Sequence, residues 1–222
     1  QPRGQRRAEE AAQNITNMAT PGYRAKHSFT ATMDQAENAL PLPREARRIA
    51  TTPGLLTETG NDHDLAISGD GFFELRGEDA PVYTRNGQFT RDADGRLLGL
   101  GGRAVQGVGG GDIILPAVGA SIVADGTVMD GERSLGRIAV MALDMADGLE
   151  ERDGVVRPIG STPVEVAQPV VRQGFLEGSN VSLGDEMITL MQAVRRAETG
   201  QRLMNVYDDL MGRVITTMGQ TS

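Results

Sequence analysis

Apolar residues in this chain follow two different periods, and the change between them divides it into three regions. Near the start, Ala8, Ala11, Ala12, Ile15 and Ala19 recur at spacings of three and four, with Arg6, Arg7, Glu9, Glu10 and Gln13 on the other side. That spacing predicts a helix with one apolar stripe. Thr20-Pro21-Gly22 ends it. Pro21 removes a donor and disfavours helix at Thr20, and Gly22 permits a reversal. From Tyr23 to about Asn61 the pattern is irregular, with Pro41, Pro43 and Pro53 interrupting it. An extended linker is expected there, with one strand near Ala25–Met33.

From Asp64 to Val171 the period shortens to that of strands. Leu65-Ala66-Ile67, Phe72-Phe73-Glu74-Leu75, Val82-Tyr83-Thr84, Ile113-Ile114-Leu115, Thr127-Val128-Met129 and Ile138-Ala139-Val140 are short apolar runs. They are separated by Ser68-Gly69-Asp70-Gly71, Asn86-Gly87, Asp92-Ala93-Asp94-Gly95 and Ala124-Asp125-Gly126. Asn86-Gly87 is expected to be a positive-φ hairpin turn. The spacing predicts an antiparallel β domain.

The end of the chain carries the strongest signal. Leu183, Met187, Leu190, Val194, Ala197, Gln201, Met204, Asp208, Met211, Ile215 and Met218 step by four and three. This is the 3.5-residue repeat of a coiled-coil seam, held over five heptads. Leu203, Tyr207, Leu210 and Val214 add a second stripe. Ser182 suits the N-cap, and Asp185 and Glu186 suit the first turn, where the helix dipole favours carboxylates. The helix would run about 54 Å, more than a β domain of about 110 residues covers. Apolar surface is left for neighbours to bury.

Composition narrows the chemistry. The 222 residues include 22 Lys+Arg against 30 Asp+Glu, a net charge of −8, which argues against a duplex-coating nucleic-acid binder. Cysteine is absent, excluding disulfides, thiolate zinc sites and cysteine nucleophiles. No run is long and apolar enough for a transmembrane helix, and no apolar signal-peptide core is present. Gly reaches 29, about twice its usual share, concentrated in the middle.

The candidate sites are thin. Asn61-Asp62-His63-Asp64 looks like metal ligands, but adjacent residues rarely converge on one centre, and a solvated loop fits better. Asp92-Ala93-Asp94-Gly95 opens like a calcium loop, yet the bidentate carboxylate position falls at Arg103. Gly99-Leu100-Gly101-Gly102-Arg103-Ala104 nearly matches a dinucleotide fingerprint, but a glycine-rich stretch follows where a helix N-terminus is required. Ser179 lacks the nucleophile-elbow frame, and no His lies in the second half of the chain. Asp208 and Asp209 are adjacent on a helix and face apart. No catalytic, cofactor or metal site is expected. A structural or assembly protein is the reading, with a secreted glycan-binding β module as the competing class. That alternative needs an aromatic-lined groove, and Tyr23, Tyr83 and Tyr207 fall on different elements.

Four segments, in order, resemble a known family. They are Asn14-Ile15-Thr16-Asn17-Met18-Ala19-Thr20-Pro21-Gly22-Tyr23-Arg24; Asp64-Leu65-Ala66-Ile67-Ser68-Gly69-Asp70-Gly71-Phe72-Phe73 with Tyr83-Thr84-Arg85-Asn86-Gly87-Gln88-Phe89; Asp92-Ala93-Asp94-Gly95-Arg96-Leu97; and Gly174-Phe175-Leu176-Glu177-Gly178-Ser179-Asn180-Val181-Ser182. They resemble the axial proteins of the bacterial flagellar rod and hook. The resemblance implies an α+β fold in which N- and C-terminal helices form a coiled-coil inner domain, with an antiparallel β domain inserted between them. On that plan 1–22 is the first helix, 23–63 the linker, 64–171 the β domain, and 172–222 the junction and C-terminal helix. It implies no enzymatic activity and no cofactor. The partners would be copies of the chain, other rod proteins and the flagellar export apparatus, with no nucleic acid and no membrane insertion. The location would be the basal-body rod spanning the periplasm, reached without a cleaved signal peptide. Thr20-Pro21-Gly22-Tyr23 favours the proximal rod; distal-rod and hook-type members are the alternatives. About one helical segment that precedes Gln1 in the family is expected to be missing. The assembly interface would use Leu183, Met187, Leu190, Val194, Met204, Met211 and Ile215 of the seam, Leu210 of the second stripe and Ile15 of the first helix. Asn14, Asn17, Pro21, Gly22 and Asn180 would fix the junction between helices and sheet.

Overall fold

Short strands and tight glycine turns set the grain of the central region. In the computed structural model, which describes residues 3–28, 47–49, 52–116, 119–144 and 149–219, this region is one of two units, Asn17–Val181. Its largest sheet has six antiparallel strands in the order Leu149–Arg152, Val155–Pro158, Val82–Thr84, Phe72–Leu75, Val140–Ala142 and Val164–Glu165. A second sheet orders Arg133–Arg137, Thr127–Asp130 and Ala120–Ile122. Two-stranded pairings join distant parts of the chain: Leu56–Glu58 with Phe175–Glu177, and Leu65–Ile67 with Val171–Gln173.

The alternation of side chains along a strand gives the unit two cores. Phe73 and Leu75 point to one face and join Leu65, Val82, Phe89, Leu97 and Val105, all buried. Phe73 meets Phe89 edge to face, with ring centroids 5.1 Å apart. Phe72 points the other way, into a smaller cluster with Tyr83, Leu149 and Val156. Glu74 stands opposite Tyr83 in the strand register, on that same face.

The turns behave differently from one another. At Asp92-Ala93-Asp94-Gly95 the Gly95 N–H donates to the Asp92 carbonyl at 3.1 Å, and the Arg96 N–H donates to Asp92 Oδ1 at 2.8 Å. Gly95 has φ +87, so a hairpin turn forms as expected. Asn86-Gly87 is not the expected positive-φ turn: neither residue is in the left-handed region. Gly87 is needed for space instead, since a Cβ there would lie 1.5 Å from the Leu65 carbonyl oxygen.

The helical unit joins Gln1–Thr16 and Ser182–Ser222. Helix α1 spans Arg3–Thr16, 14 residues, and α2 spans Leu183–Gly219, 37 residues. Asn14, in the last turn of α1, donates from Nδ2 to Glu186 Oε1 in the first turn of α2 at 2.7 Å, so the helices run antiparallel. Among the described residues, no helix is long and apolar enough to cross a membrane.

The coiled-coil inner domain expected from the heptads does not form. Among the described residues there are two α-helices of very unequal length and a mostly β remainder. About 21 Å of α1 lies beside about 55 Å of α2. A coiled coil needs matching seam positions on both helices, and α1 offers mainly small alanines. Among the described side chains of α2, Glu186 and Ala193 are buried, with Leu190 and Thr189 half-buried. The seam positions Leu183, Met187 and Val194 stay exposed.

Burial, followed by the Glu74 carboxylate, pushes the Tyr83 phenol from its ordinary 10.0 up to about 12. Between those values the unfolded chain has lost the phenolic proton and the folded chain keeps it. Folding stability therefore falls as pH rises from 10 to 12, by up to ~1.4 kcal/mol per pH unit from this group. Tyr83→Phe should remove that part of the slope. Urea denaturation of both proteins across that range tests it, and identical slopes would contradict it.

Candidate functional site

Two features stand out: a helical face without cover, and a buried ion cluster in the β unit. On α2, successive side chains rotate by about 100°. Leu203, Met204, Tyr207 and Met211 therefore share one face, and all four are exposed, Met204 at 71%. By the same rotation this face continues along the side that α1 covers nearer the start of α2. In the first turns, Leu183, Met187, Met191 and Val194 make a second exposed apolar face. An apolar surface of this extent on one helix marks an interaction site.

Among the residues assigned to assembly, Ile15 and Leu190 are half-buried, whereas Leu183, Met187, Val194, Met204 and Met211 are exposed. Leu210 and Ile215 lie within α2, and their side chains fall outside the described residues. Tyr23 and Tyr83 are buried, so neither lines an aromatic groove.

The residues assigned to the junction divide between the two units. Asn14 bonds Glu186 in the helical unit, as above. In the β unit, Asn17 closes the turn after α1, its carbonyl accepting from the Thr20 N–H at 3.0 Å. Half-buried Pro21 follows, then Gly22 at φ +68. The Gly22 N–H donates to the Glu177 carbonyl at 2.7 Å, and a Cβ on Gly22 would lie 2.3 Å from the Arg85 carbonyl carbon. No other residue fits that approach without strain. Asn180 accepts from the Ala25 N–H at 2.7 Å and donates to the Thr52 carbonyl at 2.7 Å.

These contacts surround a charge cluster that hydrophobic patterning does not reveal. The Glu177 carboxylate is buried, and its Oε2 accepts from Arg85 Nε at 2.7 Å. Its Oε1 accepts from the Gly54 N–H at 3.0 Å and from Arg24 Nη2 at 3.4 Å. Arg85 spends its remaining donors on the carbonyls of Gly71, Gly69 and Ile67, at 2.6, 2.9 and 3.1 Å. Both guanidinium groups lie near the Phe72 ring, 5.8 Å from its centre for Arg24 and 6.0 Å for Arg85. Burial pushes the Arg85 guanidinium below its usual range, and the Glu177 charge opposes that. A third buried cation, Lys26, pairs with Glu151 at 3.1 Å. Sequence reasoning missed Arg24, Arg85 and Glu177. The one available signal was a single charge set among the apolar and glycine residues of each matching segment.

The β unit holds a buried carboxylate paired with buried arginines, and the helical unit holds an exposed apolar helix face. This defines a scaffold-type subunit, a β unit with a long C-terminal helix. Comparison with known proteins gives the particular family. Residues 66–130 match a family model described as the flagellar hook protein FlgE/F/G D1 domain. Residues 172–217 match one described as the flagellar basal body rod FlgEFG protein C-terminal. The chain is 31% identical to the flagellar basal-body rod protein FlgF of Caulobacter vibrioides, covering 97% of this chain and 93% of that one. It is 30% identical to FlgF of Escherichia coli, covering 91% and 88%. It is 27% identical to the rod protein FlgG of Agrobacterium fabrum, covering 91% and 90%. The chain belongs to the flagellar basal-body rod protein family.

The buried cluster makes a stability prediction. Glu177→Ala leaves the Arg85 charge buried and unmatched, which should cost about 3–5 kcal/mol. Arg24→Ala loses the longer contact to Glu177 but leaves that carboxylate paired with Arg85, and should cost less. Urea unfolding of the two variants ranks them. A Glu177→Ala loss below about 1 kcal/mol, the value of an exposed pair, would contradict the assignment.

Proposed function

We propose that this chain is a structural subunit of the flagellar basal-body rod, placed in its proximal part, with a mechanical and not an enzymatic role. The observation that supports this most is the exposed apolar face of α2. Copies of the chain and other rod proteins cover that face for one another through heterologous contacts, which propagate along a shaft and do not close on themselves. Each Leu- or Met-sized side chain so buried contributes roughly 1.5–3 kcal/mol. A few per subunit therefore suffice to hold the shaft together while it carries torque.

The β unit supports this role by the way it closes on itself. Its buried Glu177 is paired with Arg24 and Arg85, and its ends are tied by strand pairings that reach from residue 56 to residue 177. The proximal position rests on Thr20-Pro21-Gly22-Tyr23, and a distal-rod position is the second reading, favoured by the relatives named FlgG. On this reading the chain reaches the periplasm-spanning rod through the flagellar export apparatus.

Met204→Asp with Met211→Asp places two carboxylates on the face that assembly would bury. The double variant should keep the thermal transition of its β unit, yet be missing from purified basal bodies and leave cells unable to swim. Complementation of a deletion strain, scored by motility and by immunoblot of basal bodies, tests this. Normal swimming with the variant incorporated would overturn the reading.

A further inference from the structure

The exposed faces of α2 carry an unusual side chain for surfaces of this kind. Five of the chain's 10 methionines lie on this helix, and the four with described side chains, Met187, Met191, Met204 and Met211, have 46%, 55%, 71% and 45% of their surface exposed. Met187 and Met191 are one turn apart, and Met204 and Met211 two turns apart, so each pair shares a face. By contrast, Met129 and Met141 in the β unit are half-buried, and Met141 packs on the Phe72 cluster.

We propose that Met187, Met191, Met204 and Met211 form a peroxide-reactive modification site that switches the character of α2 from apolar to polar. The oxidant class is a hydroperoxide. A thioether sulfur attacks the outer oxygen of the peroxide, and the S–O bond forms as the O–O bond breaks. The departing oxyanion takes the proton of the transferred OH group and leaves as the alcohol, or as water when the oxidant is hydrogen peroxide. The sulfur loses two electrons, the peroxide gains them, and the product is a methionine sulfoxide. Reaction requires access to sulfur, which these four residues offer and the half-buried pair restricts. The sulfoxide is polar and chiral, and it disrupts methionine-rich contact surfaces; methionine sulfoxide reductases reverse it, one enzyme for each epimer.

The consequence for assembly rests on the rod-subunit reading; the site itself does not. If the faces are buried between subunits, each sulfoxide should weaken association roughly tenfold or more, because a buried Met side chain contributes at least that factor. Subunits not yet assembled are then the vulnerable form, and assembled ones are shielded.

The test uses the full chain treated with hydrogen peroxide, followed by peptide mass spectrometry and by incorporation into basal bodies from cells lacking the subunit. The four α2 methionines, together with exposed Met18, should gain oxygen well before Met129 and Met141. Incorporation should fall with that oxidation and return after treatment with both reductase types. A variant with Met187, Met191, Met204 and Met211 all replaced by Leu should incorporate equally well with and without peroxide. Oxidation of Met129 and Met141 as fast as the four would overturn the site. Full incorporation of the tetrasulfoxide, or equal peroxide sensitivity of the Leu variant, would overturn the switch. Failure of untreated wild-type protein to incorporate would instead count against the rod-subunit reading, with the order of oxidation still deciding the site.

Discussion

A carboxylate removed from water must be met by charge and by hydrogen bonds, and the β unit is organised around one. Glu177 comes from near the end of the unit, Arg24 from near its start, Arg85 from the middle and the Gly54 amide from between. The bond to Gly54 spans 123 residues of sequence and that to Arg24 spans 153. No local propensity brings such groups together. Once they meet, moving any one of them strands the others in a low-dielectric setting. The conformations of Gly22 and Asn180 are subordinate to that meeting, since each packs beside a member of the cluster. A buried ion pair is weak evidence for added stability, because hydrophobic replacements can do as well. Its stronger effect here is to permit only one way of closing the unit.

The two units handle their polar and apolar groups in opposite ways. In the β unit, a buried carboxylate is matched by buried arginines, and the buried apolar side chains divide between two cores. In the helical unit, α1 meets the start of α2 with Ala11 buried, Ile15 half-buried and a buried Asn14–Glu186 hydrogen bond. Beyond that contact Ala193 is buried and Leu190 half-buried, and farther along Leu203, Met204, Tyr207 and Met211 are exposed.

Much of this was legible from the sequence, for definite reasons. The long helix was readable because its apolar residues recur over many turns. The Asp92–Gly95 turn was readable because Asp accepts locally and Gly takes the positive φ. Reasoning from the heptads failed at the level of pairing: a repeat on one helix states that a surface is apolar, not which helix meets it. The alanines of α1 select a different side of α2, where Glu186 receives the Asn14 amide. Asn86-Gly87 misled because glycine serves two purposes, and close approach to the Leu65 carbonyl outweighed turn geometry here. The charge cluster was invisible because patterning scores an arginine as surface wherever it occurs.

The pairing of Leu56–Glu58 with Phe175–Glu177 also governs when the unit can form. Contacts between such distant parts must await loop closure, whose entropy is lost before the contact repays it. A polypeptide emerging from its N-terminus holds Arg24 and Arg85 long before Glu177 exists to meet them. Until then it lacks the partner that would lock it, and it remains a pliable thread. The last strand thus acts as a timer, delaying closure until almost the entire β unit has been delivered.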